Sequence, residues 1–160
     1  MTQSARAFRN NLFAAAQGLY AGVRDTTDAP PLVCLGAPGT YQPNTIIAVG
    51  LSIAETVTRP TMGTTRSRER QVDISVTFSV YVPASDQDQA NALDTCDGLI
   101  DTLEQYVRTS PNEKFSGATR DAWVSAIDGP NAAVVTNPNS NQAAGRVAEA
   151  IVIVTGFCRY

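Results

Sequence analysis

The clearest pattern in the chain is the alternation over residues 71–82. Val72, Ile74, Val76, Phe78, Val80 and Val82 fall on one side, and Asp73, Ser75, Thr77, Ser79 and Tyr81 on the other. Strict period two of this kind predicts a half-buried strand. Spacings of three and four appear on either side of it. Ala5, Phe8, Leu12, Ala15, Ala16, Leu19 and Val23 predict an amphipathic helix over 4–24, with Gly18 and Gly22 weakening its last turns. Leu93, Cys96, Ile100, Leu103 and Val107 predict a second helix over about 86–108. Ser85 and Asp88 suit its start, Arg108 suits the negative end of its dipole, and Ser110-Pro111 closes it.

The remaining segments read as strands and turns. Asp28-Ala29-Pro30-Pro31 forces an extended approach to a short strand at Leu32–Leu35. Thr45 to Val57 is β-prone, with Gly50 marking a bulge or bend. Residues 58–70 turn polar and read as an exposed loop or hairpin tip. Ala122 to Asp128 is a further strand, Gly129-Pro130 a turn, Ala132 to Thr136 a brief strand or part of an excursion, and 137–142 a loop. Arg146 to Cys158 closes the pattern with Ala150 to Val154 apolar on both faces, the mark of a strand inside a sheet. The expected order is α-β-β-β-α-β-β. The fold class is α+β: one domain over residues 1–160, with a mainly antiparallel sheet and two helices packed on one face.

Composition narrows the function. The 160 residues are 43% hydrophobic and 17% charged, with a net charge of −3, which disfavours a general nucleic-acid binder. His is absent, so imidazole acid–base chemistry, Ser-His-Asp and Cys-His nucleophiles and His-ligated metals all fall away. Neither a phosphate-binding glycine loop nor a Cys-x-x-Cys pair is present. Cys34, Cys96 and Cys158 are three and far apart, and are expected as buried, reduced thiols. No leader pattern opens the sequence and no apolar run nears about 18 residues, so a soluble protein without membrane contact is expected. No enzyme, cofactor or metal is expected. Asp94, Asp97 and Asp101 have the spacing to share a cation, but the apolar stripe on the same helix accounts for that spacing.

Two oppositely charged segments stand out. Arg59, Arg66, Arg68 and Arg70 against Glu69 make 58–70 a basic arm of net charge +3. Segment 85–108 carries Asp86, Asp88, Asp94, Asp97, Asp101 and Glu104 against Arg108, a net charge of −5. Both can be solvated surface. They can also be complementary contacts between copies, with Arg59, Arg66, Arg68 and Arg70 facing Asp94, Asp97, Asp101 and Glu104. The arm can equally meet DNA phosphates, although no aromatic residue interleaves its arginines for base stacking.

The run of an N-terminal helix, a polar arm, RSRERQVDISVTFSVYV (66–82), the helix ASDQDQANALDTCDGLIDTLEQYV (84–107) and terminal strands resembles the tail-terminator proteins of long-tailed phages. Size and element order match over nearly the whole chain. The resemblance implies a subunit of a six-membered ring that caps the tail tube, ends its polymerisation and meets the head–tail connector. It implies a virion protein of the tail or neck, assembled in the host bacterial cytoplasm without cofactor. Its partners would be copies of itself, the tail-tube protein and the connector, with DNA passing the lumen; the arm would occupy the lumen- or tube-facing side. The loop at 137–142 has no counterpart in that pattern. Another connector, neck or minor tail protein is the alternative within this class, and a small nucleic-acid-binding module the alternative outside it.

Overall fold

The alternation in the middle of the chain decides the layering of the whole molecule. The computed structural model describes residues 3–58, 69–83, 88–109, 111–136, 139 and 143–159. In chain order these form α1 (Gln3–Leu19), β1 (Leu32–Leu35), β2 (Thr45–Thr58), β3 (Glu69–Pro83), α2 (Asp88–Arg108), the one-turn α3 (Pro111–Lys114), β4 (Asp121–Thr136) and β5 (Ala143–Arg159). The strands make one five-stranded sheet in the order β1-β2-β3-β5-β4. β1 runs parallel to β2, and the other neighbouring pairs are antiparallel. The fold is α+β in the expected order, with α3 as an additional turn opened by Pro111.

Directly opposed residues of an antiparallel pair share a face. Val72, Ile74, Val76, Phe78 and Val80 of β3 lie opposite Gly156, Val154, Val152, Ala150 and Ala148 of β5. All these β3 side chains and their β5 partners are buried. This face lies under the helices: α1 packs on β1, β2 and β5, and α2 on β3, β4 and β5. Ala5, Phe8, Leu12 and Ala16 of α1 join Ala92, Cys96, Leu99, Ile100, Leu103 and Val107 of α2 in one core with it. Gly156 lies where α1 presses closest: a Cβ there would stand 2.8 Å from both the Phe8 ring and the Thr119 methyl. Among the described residues, no helix is long and apolar enough to cross a membrane.

Three boundaries differ from the sequence reading, each for a physical reason. First, α1 stops at Leu19 rather than near residue 24. Tyr20 still bonds back to Ala16, but Val23 bonds to Tyr20, and the Arg24 guanidinium donates to the Ala21 and Val23 carbonyls. These contacts hold the chain in a turn beside weak helix formers Gly18 and Gly22. The Asp25 carboxylate then gathers the loop, accepting from the Thr27 amide and hydroxyl, the Ala29 amide and the Asn44 side chain. Desolvation works to raise its pKa, but these hydrogen bonds outweigh it and hold the carboxyl below its ordinary value.

Second, Gly129-Pro130 does not turn the chain. β4 runs through it from Asp121 to Thr136, with a register shift between Asp128 and Asn131. A bulge on an end strand removes the need for a proline N–H in the ladder. Gly129 adopts φ 101°, and a Cβ there would meet the Glu149 carbonyl at 2.7 Å. Third, β3 begins at Glu69, so Glu69 and Arg70 belong to the sheet and not to a loop. The expected bulge in β2 is present as a register shift between Val49 and Ile53. The loop expected at 137–142 lies, apart from Asn139, outside the described residues.

Candidate functional site

The second face of the sheet carries no helix among the described residues. Its rows run Gln71–Phe157–Asp121, Asp73–Thr155–Trp123, then Ser75–Ile153 and Thr77–Ile151. β3 contributes a line of small hydroxyls, while β5 contributes Val147, Ile151, Ile153 and Phe157. Ile151 is 44% exposed. The apolar run Ala150–Val154 thus sits inside the sheet, as expected, but only one of its faces is buried against helices.

At one end of this face the sole tryptophan meets Phe157, which in turn carries Arg120. The rings of Trp123 and Phe157 lie 5.2 Å apart, and the Arg120 guanidinium stacks 5.6 Å above Phe157. Beside them the Thr155 hydroxyl is 2.7 Å from both Asp73 Oδ1 and Ser125 Oγ. An ionised carboxylate only accepts, so Thr155 donates to Asp73 and accepts from Ser125. Trp, Phe and Arg together on a sheet surface are typical of the centre of a protein contact. Sequence spacing did not reveal this cluster, because the β4–β5 register alone brings residue 123 beside residue 157.

The sequence-predicted residues are placed differently from one another. Arg59, Arg66 and Arg68 lie outside the described residues. Arg70 forms an ion pair with Glu55 across the β2–β3 hairpin, both side chains largely shielded from solvent. Arg70 is thus a correction: it is held within the sheet, on the same side as the core, and is not part of an exposed arm. Asp94, Asp97 and Asp101 are exposed on the outer side of α2, and Glu104 is half-buried there. Among the described residues no three acidic or cysteine side chains converge in a way that could hold a metal ion.

The cysteines remain separate thiols. Cys96 and Cys158 are buried, and desolvation followed by the nearby charges of Asp97 and Glu55 pushes each up to about 11. Cys34 is half-buried on β1, its pKa also raised by desolvation, and its Sγ lies 3.4 Å from the Gly36 carbonyl oxygen. The two buried thiols, held protonated in this way, are poor nucleophiles and poor metal ligands.

The two ends of the sheet complete the surface. At the β1 end, an open groove of about 260 Å³ is lined by Gln17, Tyr20, Ala21, Pro31, Leu32 and Val33. At the β4 end, Ile127 and Val134 are 45% and 50% exposed. Compared with known proteins, the chain matches no protein-family model and no curated sequence.

Proposed function

We propose that this protein is a structural subunit of a phage virion, a tail-terminator-like protein whose copies close into a ring. The ring, six-membered on the resemblance, caps the tail tube and joins it to the head connector. The observation that carries this reading is a sheet that, among the described residues, is covered by helices on one face only, in the element order expected of such a subunit. That architecture leaves an apolar and hydroxyl-lined face and two strand edges for protein contacts. The Trp123–Phe157–Arg120 cluster supplies anchors of the kind that dominate such contacts. The ring would be assembled in the host cytoplasm and retained at the neck of the tail, touching DNA only as it passes.

Negative-stain microscopy of the purified protein, alone and mixed with tail tubes, tests the reading. Six-fold rings seated at one end of the tubes support it. Rings that bind an isolated connector and ignore tube ends would move the protein to the connector or neck class. A monomer that binds neither would refute the reading.

A further inference from the structure

Resting on the ring reading, we propose that copies join head-to-tail through their end strands, β4 of one copy lying against β1 of the next. The sheet would then continue from subunit to subunit. Three observations meet in this arrangement.

The first is direction and height. β1 is parallel to β2, and the three following pairings are antiparallel, so β1 and β4 run in opposite directions. Copies placed side by side in the same orientation therefore present an antiparallel pair, the more stable kind. The row Leu32–Ile46–Ser79–Glu149–Asn131 puts the start of β1 level with the second half of β4.

The second is the fit of the helix layer. A strand added beside β1 would place its helix-side residues against the open groove at the end of α1, lined by Gln17, Ala21, Pro31 and Val33. Val134 lies opposite Arg146 and Ile127 opposite Val152, so both are helix-side residues of β4. Their exposure shows that the molecule's own helices leave them half-covered. One end thus has apolar side chains without a full cover, and the other an open, largely apolar groove on the same side of the sheet.

The third is charge. α2, which packs on β4, carries Asp94, Asp97 and Asp101 exposed on its outer side. α1, which packs on β1, contains Arg6 and Arg9 and no acid between Gln3 and Leu19. Arg9 reaches the Leu51 carbonyl of β2, which places it toward the β1 side of α1. Joining β4 to β1 sets acids beside arginines; joining β4 to β4 would set acids beside acids. The contact is therefore heterologous, the kind that closes into rings or extends into filaments.

Native Cys34 on β1 provides a direct test. Asp128 shares its row with Cys34, through Ala48, Thr77 and Ile151. With Asp128→Cys, a short bis-maleimide should produce a ladder of covalent oligomers on denaturing gels, lost when Cys34→Ser is added. Separately, Val134→Lys and Ile127→Lys should keep the circular dichroism spectrum and raise the dissociation constant more than tenfold by sedimentation velocity. Assembly that ignores both lysines, or cross-linking that persists without Cys34, would overturn the edge-to-edge contact and leave the ring standing. A wild-type chain that stays monomeric alone and forms no ring on tail tubes would overturn both.

Discussion

The Tyr20 hydroxyl donates to the Leu99 carbonyl at 2.7 Å, and the Tyr20 ring stands edge-on to Phe78 at 6.2 Å. One side chain at the end of α1 therefore ties the first helix to the second and to the central strand. Tyr20→Phe removes only the hydrogen bond and should cost about 0.5–1.5 kcal/mol. Tyr20→Ala or Phe78→Ala empties a fully buried site and should cost about 3–5 kcal/mol. Urea melts of the three variants check this order. Equal losses for Tyr20→Phe and Tyr20→Ala would show that ring packing is not what holds the site.

Phe8 packs over the bare backbone of Gly156, with Phe115 edge-on to it at 5.1 Å. Neither aromatic ring can withdraw without opening the core. Gly156→Ala should destabilise the protein by about 1–3 kcal/mol through overpacking, despite adding one methyl group. Adding Phe8→Leu should recover part of that loss. A neutral Gly156→Ala in thermal unfolding would place α1 farther from β5 than described.

The Glu55–Arg70 pair is shielded on the helix side of the sheet, beside Cys158. Removing one partner should cost roughly 1–3 kcal/mol, between the values for exposed and buried pairs. Arg70→Ser should accordingly lower stability in a denaturant melt. An Arg70→Ser variant as stable as the wild type would show that the Glu55–Arg70 pair does not hold the hairpin.

Alkaline pH should unfold the protein in a predictable window. Cys96 and Cys158 ionise near 9 when unfolded and are pushed up to about 11 when folded, first by burial and then by neighbouring acids. A folded pKa above the unfolded value contributes stability that is complete below pH 9 and lost as pH rises toward 11. Burial also raises Tyr20 above its ordinary 10, which extends the loss in the same direction. Midpoint denaturant concentration should be insensitive to these groups below about pH 8.5 and fall between 9 and 11. Cys96→Ala with Cys158→Ala should reduce that slope; an unchanged slope would assign it to other groups.

Local periodicity was enough to place the main elements. Alternation through Val72–Val82 and the stripes through Phe8 and Leu103 name which side chains are apolar and at what spacing. Burying those faces against one another admits few layouts. The α+β class, the element order, the bulge near Gly50 and the buried face of β3 were therefore legible in the amino-acid order. Long-range pairing was not. Gly129-Pro130 has the chemistry of a turn, and only the neighbouring β5 turns it into a bulge within one long strand. Arg70 looked like the last residue of a basic arm, and only Glu55 across the hairpin draws it into the sheet. The same holds for Trp123 beside Phe157 and for the exposed Ile127 and Val134 at the sheet's end. Which residues meet across 15 or more positions, and which apolar side chains stay uncovered, depends on register and on where the helices stop. Those are properties of the assembled sheet, and no local run of residues contains them.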